Sequence, residues 1–390
     1  MTTNSPHVTI IGAGIGGLCL AQGLQQAGIA FDVYEKDAAN DSRRQGYRLR
    51  LDQTGLAALA ACLPPQLNAL LQQCGAPPSP GVGMIDAQLS TLKDKGLQDW
   101  QQDGQPDLRI NRLSLREILL AGISEHVHFG KAFDRYRERA DGKVDVYFTD
   151  GSGVLTDMLV GADGVHSAVM GWRFPGVRPE ESGDVCIYGT TAMAAAAHRV
   201  APELQSDTSV LFEPGLAMVI DAMPSQPNMP PGLALTDIPD YLYWAMIGKR
   251  ERFVGMEQDL QGCIAGITAS WSPALQALFE LADPGAITVA PIRHARPVPA
   301  WKTSAITVLG DAIHAMSPAS GLGANTALAD AAALLQALLD VAHGHSGLLP
   351  AIARYEHELR LRGNAAVAAS RRGSIQLLGS EENPMQALVD

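Results

Sequence analysis

Cysteine pairs, surplus basic charge and long apolar runs are all missing from this chain, and each absence excludes a class of protein. The five cysteines form no Cys-x-x-Cys pair and no metal-ligand spacing, so we expect free thiols in a reducing compartment. The net charge of −12 argues against nonspecific binding to nucleic acid or anionic lipid. No run is apolar and long enough to predict a membrane span, and the first apolar run predicts a strand rather than a signal peptide. The remaining class is a cytoplasmic globular protein of one large or two ordinary domains.

The first glycine-rich segment is "VTIIGAGIGGL", which begins at residue 8. A short β-branched run predicts a buried strand, and the GxGxxG pattern of Gly12, Gly14 and Gly17 opens a helix. Gly12 suits a tight turn, Gly14 allows backbone to approach a pyrophosphate, and Gly17 allows helix and strand to pack closely. The next strand, "FDVYE", ends at Glu35, where a carboxylate can accept a hydrogen bond from a ribose hydroxyl. The pattern predicts a dinucleotide site, with NAD and FAD both open.

A second segment of this kind lies some three hundred residues later. The strand "AITVLGD" ends at Asp311, and a loop with two glycines leads into a long helix rich in small residues. A carboxylate at a strand end suits a chain of hydroxyls, and free N–H groups at Gly323 and Ala324 suit an electron-rich carbonyl edge. FAD carries a ribityl chain and a flavin carbonyl edge, whereas NAD has neither. The two segments together therefore predict FAD.

Four motifs in this order resemble the class A flavoprotein monooxygenases. They are GxGxxG with its acidic partner, "INRLSLREILL" from residue 110, "GADGVHSAV" from residue 161 and "GDAIHAMSPASGLGAN" from residue 310. This is the family of para-hydroxybenzoate hydroxylase, aromatic polyketide hydroxylases and tetracycline-inactivating monooxygenases. The closest likeness is to the shorter tetracycline-inactivating and urate-hydroxylase-like members.

The resemblance implies roles for individual residues. Arg112 would face the flavin side of FAD, Asp311 the ribityl chain or pyrophosphate, and Pro318 the isoalloxazine. Asp163 would serve both FAD and the nicotinamide cofactor. His314 would be hydrogen-bonded to backbone behind the flavin, with a role in proton transfer as the alternative. Arg116 fits equally well as a solvated helix charge. The full set of predicted cofactor-binding residues is Gly12, Gly14, Ile15, Gly16, Gly17, Glu35, Lys36, Arg112, Asp163, Gly164, Gly310, Asp311, Pro318, Gly321, Gly323, Ala324 and Asn325. No catalytic residue and no metal ligand is assigned.

The predicted fold class is α/β, α+β overall, in two domains. A Rossmann-like FAD-binding domain, ending in helices, would comprise residues 1–75, 103–178 and 293–390. A substrate-binding domain would comprise residues 76–102 and 179–292. Period-two alternation there, as in "YLYWAMIG", predicts an antiparallel sheet with one packed face.

One face of this sheet would cover an apolar pocket above the flavin. Tyr241 and Tyr243 share a face with Ala245, and such tyrosines fit ordinary core and rim positions as well as substrate contacts. The segment "SRRQGYRLRL" places four arginines after the second strand: Arg43, Arg44, Arg48 and Arg50. They fit a solvated edge or, by family likeness, one of them borders the flavin.

The function implied by the resemblance is hydroxylation of a flat aromatic, phenolic, enolic or polyketide-like small molecule. NADPH or NADH would reduce FAD, and dioxygen would react through a flavin hydroperoxide. One departure matters: the arginine that usually follows the Asp-Gly segment is Met170 here. Met170 supports an alternative, a flavin oxidase or dehydrogenase without nicotinamide. The third hypothesis is a non-catalytic protein that binds a small molecule and is stabilised by FAD.

Overall fold

A computed structural model describes residues 5–40, 47–76, 82–92, 107–206, 208–225 and 235–378. Its strands are β1 (Val8–Ile11), β2 (Phe31–Glu35), β3 (Leu49–Leu51), β4 (Val82–Ile85), β5 (Leu108–Ile110), β6 (Val127–Phe129), β7 (Phe133–Glu138), β8 (Val144–Phe148), β9 (Gly153–Thr156), β10 (Met158–Gly161), β11 (Glu180–Ala192), β12 (Thr208–Glu213), β13 (Leu216–Met223), β14 (Tyr241–Lys249), β15 (Thr288–His294) and β16 (Ile306–Val308). Its α-helices are α1 (Ile15–Ala27), α2 (Gln53–Cys62), α3 (Pro65–Cys74), α4 (Arg112–Leu120), α5 (Ala168–Arg173), α6 (Met193–Ala196), α7 (Leu260–Thr268), α8 (Pro273–Glu280), α9 (Asp311–His314), α10 (Leu322–Ala342) and α11 (Leu348–Leu378).

A five-stranded parallel sheet forms the centre of the first half of the fold. Its strand order is β16-β10-β1-β2-β6. Strands β1, β10 and β16 are almost entirely buried apolar residues, as expected for a parallel sheet covered on both faces. The chain proceeds from β1 to β2 on one side and returns to β10 on the other. The carboxyl ends of β1 and β10 therefore form a topological switch point, where α/β sheets bind ligands.

Helix α10 is the longest apolar helix beside this sheet. By length and composition it could cross a membrane, with a mean hydropathy of 1.3 in its most apolar window. In the fold, 56% of that window is buried, and the helix packs against α1, α2 and α11. Two glycines of α1 allow this contact, because a Cβ on Gly23 would lie 2.4 Å from Leu335 of α10 and a Cβ on Gly16 would lie 3.4 Å from Ala327 of α10. The small-residue stripe of α10 thus belongs to a packed core.

The second large sheet has six strands in the order β15-β11-β14-β13-β12-β4, antiparallel except for the β4–β12 pair. Alternation along β14 divides its faces as predicted. Leu242, Trp244 and Met246 pack under α7 and α8, in one apolar cluster. Ala245 and Ile247 face the other way, toward the end of α11. The predicted α/β class with an inserted antiparallel sheet and C-terminal helices is confirmed, while the exact domain boundaries stay a prediction.

The predicted substrate-binding domain includes residues 76–102, which are distant in sequence from its main part. Within the described residues, this segment adds one strand to the six-stranded sheet. Strand β4, from the predicted 76–102 segment, pairs in parallel with β12 at the edge of the six-stranded sheet. Residues 77–81 and 93–106 lie outside the described part of the chain. Two smaller sheets complete the fold: β3 pairs with β5, and β7, β8 and β9 form an antiparallel sheet.

Candidate functional site

The GxGxxG turn has the geometry that each of its glycines predicts. Gly12 adopts a φ of 108°, and a Cβ there would lie 2.4 Å from the Ala162 carbonyl oxygen. A Cβ on Gly17 would lie 2.2 Å from the Gly12 carbonyl oxygen, so only glycine lets α1 approach β1 this closely. A Cβ on Gly14 would meet no atom within 4 Å. The surface at Gly14 is therefore open, which fits the approach of a phosphate group to the first turn of α1.

Glu35 and Arg116 brace this turn from outside. One oxygen of Glu35 accepts a hydrogen bond from Ala13 N at 2.8 Å, and the other accepts from Asp37 N at 3.0 Å. Arg116 Nε donates to Ala13 O at 2.9 Å, and Nη1 donates to Asn40 O at 2.7 Å. The side chain of Arg116 is only 15% exposed, so its interpretation as a solvated helix charge is wrong. Lys36, beside Glu35, is exposed.

Arg112 and Asp311 are distant in sequence but lie near each other in the fold. Arg112 begins α4 and makes no hydrogen bond or ion pair within the described ranges. Desolvation raises the pKa of Asp311, and the charges of His314 and then Arg112 oppose that rise. Asp311 is accessible to solvent, yet protein surrounds it so closely that desolvation raises the pKa of its carboxyl group overall. These two properties describe a carboxylate on the floor of an open cleft. A Cβ on Gly323 would lie 3.8 Å from Asp311 Oδ1, so the first turn of α10 faces the same cleft.

The N-terminus of α10 has no side-chain cap. Gly321 occupies the N-cap position with a φ of 66°, a left-handed conformation that suits glycine. The first N–H groups of the helix, at Leu322, Gly323 and Ala324, have no intrahelical acceptor. Pro318, in a short 3-10 turn just before it, is exposed. The geometry fits a carbonyl edge at this helix start, as the sequence predicts.

Asn325 is a structural residue whose side chain is fully used by the protein. It is 3% exposed, and its Oδ1 accepts a hydrogen bond from Asp52 N at 3.1 Å. Its Nδ2 donates to the carbonyl oxygens of Arg50 and Gly321, both at 3.0 Å. The side chain of Asn325 thus joins β3 to α10, and contact of this residue with the cofactor stays a prediction. Gly16 likewise serves packing, against Leu309 and Ala327.

The Asp-Gly segment after β10 is held by its own aspartate. Asp163 accepts hydrogen bonds from Ser167 Oγ at 2.6 Å and from the N–H groups of Ala168 and Val169 at the start of α5. Gly164 follows with a φ of 77°. Desolvation raises the pKa of Asp163 despite these bonds. Asp163 fixes the loop beside the glycine turn, and its contact with a cofactor stays a prediction.

His314 belongs to a buried charged cluster rather than to a backbone contact. Its Nε2 lies 2.6 Å from Asp330 Oδ2, which also accepts from Gly310 N at 3.0 Å. Arg362 from α11 binds the other Asp330 oxygen through Nε at 2.8 Å and Nη2 at 2.7 Å. The prediction that His314 bonds to backbone is therefore wrong, because its partner is the Asp330 carboxylate. His314 is a buried structural residue. The cluster ties the Gly310-Asp311 turn to α10 and α11.

Two arginines of the "SRRQGYRLRL" segment are paired. Arg48 forms an ion pair with Asp221, and Arg50 with Asp107. Arg50 lies beside the α10 N-terminus, because a Cβ on Gly321 would be 4.0 Å from its Cδ. The interpretation as a solvated edge is thus wrong for both. Arg43 and Arg44 lie outside the described residues.

The arrangement of these residues suits FAD. The glycine turn, Glu35, Arg112, Asp163 and Asp311 all follow parallel strands or face their carboxyl ends, in one cleft. The open surface at Gly14, the uncapped α10 start and the desolvated carboxylate of Asp311 match phosphate, carbonyl and hydroxyl groups in turn. The residues present therefore suit a long ligand with these groups at separate points.

Asp311→Asn should weaken FAD binding without harming the fold. Loss of a charge-assisted hydrogen bond costs about 1.5–3 kcal/mol, which corresponds to roughly a ten- to hundredfold higher dissociation constant. Because desolvation raises the pKa of Asp311, the ionised group destabilises the apoprotein, and the neutral amide should leave its unfolding midpoint equal or higher. FAD titration and denaturation of apoprotein measure the two effects. An unchanged FAD dissociation constant would show that Asp311 does not contact the cofactor.

Met170 lies in the core and cannot be read as an open position for an arginine. Its side chain is 4% exposed and packs in the main apolar cluster. Met170→Arg should therefore lower the free energy of unfolding by about 2 kcal/mol and should not improve the Michaelis constant for NADPH. Chemical denaturation beside Met170→Leu, which conserves volume, measures the effect; equal stability of the two variants would contradict it.

Comparison with known proteins gives the family. A family model described as "FAD binding domain" matches residues 5–370. The dual O-methyltransferase/FAD-dependent monooxygenase CTB3 of Cercospora nicotianae is 32% identical, over 97% of this chain and 47% of that protein. The FAD-dependent urate hydroxylase of Klebsiella pneumoniae is 30% identical, over 83% of this chain and 79% of that protein.

A solved structure supports the same family relationship. The crystal structure of a candidate FAD-containing monooxygenase from Photorhabdus luminescens subsp. laumondii has a TM-score of 0.84 at 30% identity, covering 97% of this chain and 100% of that one. The chain spans about half the length of the fungal relative named above. The family match includes all strands of both large sheets. The chain therefore belongs to the FAD binding domain family, and the resemblance of its motifs to the class A flavoprotein monooxygenases is confirmed.

Proposed function

We propose that this chain is an FAD-dependent monooxygenase that hydroxylates a flat aromatic, phenolic or enolic small molecule, with NADPH or NADH as electron donor. One observation carries the proposal: the tyrosine-bearing face of the six-stranded sheet packs toward the start of α10. Tyr243, Tyr188 and Ala319 lie in one cluster, and Ala319 is two residues from the α10 N-cap. The cofactor cleft and the second sheet thus meet at one place. When bound there, FAD supplies the redox chemistry, accepting electrons and activating dioxygen.

The chain's own residues would hold the cofactor, orient it and enclose the substrate. Arg112 and Asp311 would bind the middle of the cofactor, and the α10 N–H groups would favour negative charge at its carbonyl edge. The apolar side chains beside Tyr243 exclude water, which strengthens every electrostatic interaction with a substrate. A flat ring fits between such a face and a planar cofactor.

A basic patch near the cleft supports a nicotinamide cofactor as co-substrate. His166 Nε2 lies 3.4 Å from Arg293 Nη1. Desolvation, then the charges of Arg293 and Lys36, lower the pKa of His166. At neutral pH His166 is therefore uncharged. Arg293 also pairs with Glu181 at 2.8 Å, whereas Lys36 is exposed and supplies the positive charge that a phosphate group needs.

The test is flavin reduction followed by product analysis. Anaerobic protein should lose its yellow colour with NADPH or NADH, faster with a substrate from a panel of phenols, naphthols and urate. Admission of air should then give a product heavier by one oxygen atom. Bleaching by a panel compound alone, with no effect of either nicotinamide, would identify an oxidase or dehydrogenase instead. No turnover with any compound, together with tight binding of one, would indicate a binding protein.

A further inference from the structure

A row of polar residues crosses the tyrosine-bearing face of the six-stranded sheet. Register places Thr208 opposite Asp221, Asp221 opposite Tyr243, and Tyr243 opposite Thr190, on four neighbouring strands. Residues paired in this way point to the same face. Asp221 interrupts the apolar strand β13 and is 0% exposed. A buried carboxylate in such a place requires partners.

The partners of Asp221 supply more positive charge than it can balance. Its Oδ1 accepts hydrogen bonds from Arg109 Nη1 at 2.7 Å and Thr208 Oγ1 at 2.6 Å, and its Oδ2 pairs with Arg48. The carboxylate of Asp107, just before the strand that carries Arg109, is engaged elsewhere, since it pairs with Arg50. Two guanidinium groups on one carboxylate leave a net charge of about +1 in a poorly hydrated place.

The surplus charge resides on Arg48. Its side chain is 15% exposed, and apart from Asp221 it has no polar partner in the ranges that the structure covers. Arg109 is more deeply buried, at 6% side-chain exposure, and pairs with the other oxygen of Asp221. Because Arg48 contacts Asp221 through Nε, its two terminal nitrogens remain as donors for something else.

Arg48 and Tyr243 face the same space. Arg48 pairs with Asp221, which lies opposite Tyr243 in the register of β13 and β14, so the guanidinium and the phenol lie on one face of the sheet. Burial raises the pKa of Tyr243, and the charge of Arg48 acts in the opposite sense. The Tyr243 hydroxyl makes no hydrogen bond within the described chain. Two residues beyond Arg48, the backbone carbonyl of Arg50 is bonded to Asn325 of α10. The free donors therefore lie between the tyrosine-bearing face and the start of α10, where the proposed function puts the substrate.

We propose that Arg48, with the Tyr243 hydroxyl, binds a carboxylate group of the substrate, so that the site selects aromatic carboxylates over their neutral analogues. This rests on the proposed function for the location of the substrate. The anion supplies the partner that the buried surplus charge lacks. A site of this kind discriminates strongly against neutral analogues, which leave its buried donors unpaired.

The test compares matched charged and neutral probes: benzoate against benzamide, and naphthoate against naphthamide. Each is titrated into oxidised holoprotein, and binding is read from the change in the flavin absorbance spectrum. The wild type should bind each carboxylate at least about tenfold more tightly than its amide, and Arg48→Gln should weaken carboxylate binding about ten- to a hundredfold with little change for the amides. Tyr243→Phe should weaken carboxylate binding about two- to tenfold. Arg48→Lys, which keeps the charge, should retain part of the preference.

Arg137→Gln is the control, because that exposed arginine pairs with Asp145 on a distant hairpin. Arg48→Gln leaves Asp221 bonded to Arg109 and Thr208, so its unfolding midpoint and FAD content should match the wild type. Equal affinity for both members of each pair, no detectable binding by either, or an unchanged preference in Arg48→Gln overturns the proposal. The titration needs neither nicotinamide nor dioxygen, so a failure here is distinct from a failure of the proposed reaction.

Discussion

Gly17→Ala should yield a colourless, destabilised protein. The added methyl carbon would stand 2.2 Å from the Gly12 carbonyl oxygen and 3.2 Å from Ala162 Cβ, and neither can move without displacing β1 or β10. Overpacking against backbone costs about 3 kcal/mol or more. Because α1 must shift away from the sheet, its N-terminus also leaves the place where it meets a phosphate group. We expect FAD to be lost on purification and the denaturation midpoint to fall.

Gly14→Ala is the matched control, three residues away in the same motif. Gly14 has a φ of −75° and a ψ of 176°, which alanine adopts without strain, and open space surrounds its Cβ position. The apoprotein should keep its stability within about 0.5 kcal/mol. FAD binding should still weaken, because the methyl group occupies the surface that a pyrophosphate approaches. Wild-type FAD affinity in both variants would show that the turn does not hold the cofactor.

The sequence predicted those features that depend on local chemistry. The roles of Gly12, Gly14 and Gly17 follow from a spacing of a few residues, and each matches the clash or the open space at its Cβ. Alternation along β14 assigned Trp244 and Tyr243 to opposite faces, because side chains of a strand alternate with a period of two.

Residues whose partners are distant in sequence could not be predicted in this way. Arg109 is 112 positions from Asp221, and Arg362 is 32 positions from Asp330. A lone aspartate in the apolar run of β13 was the available signal for the first cluster, since a buried carboxylate needs a cation. At Met170 the family motif misled the interpretation. The motif usually has an arginine at this position, but here the residue is a methionine buried in the core.

Asp330→Asn should destabilise the protein by about 3 kcal/mol. Asp330 is 0% exposed and accepts from Gly310, His314 and Arg362 at once. Removal of one member of a buried ionic cluster leaves the others unpaired, at a cost of about 3–5 kcal/mol. The lower end applies because Arg362 keeps 26% of its side chain exposed and can turn toward water. Since Asp330 also holds the Gly310-Asp311 turn, FAD affinity should fall as well.

The deficit of Asp330→Asn should depend on pH. Burial lowers the pKa of His314, but the charge of Asp330 and the hydrogen bond to it, aided by Asp311, outweigh burial and leave that pKa raised. A histidine with a raised pKa contributes its full stabilisation below its ordinary value of about 6.5 and loses it as pH rises through the higher value. The variant should therefore be further below the wild type at about pH 6 than at about pH 9, with the Arg362 part of the loss remaining throughout.

Asp340→Asn provides the comparison for this result. Asp340 also lies on α10 and also pairs with an arginine of α11, since its Oδ2 is 2.6 Å from Arg354 Nη2, but that arginine is 51% exposed. Its loss should cost at most about 1 kcal/mol. Urea denaturation of both variants at the two pH values distinguishes a buried ionic cluster from a surface pair. Equal losses at the two sites, or a deficit of Asp330→Asn that grows with rising pH, would show that the His314–Asp330 pair does not stabilise the fold as a charged unit.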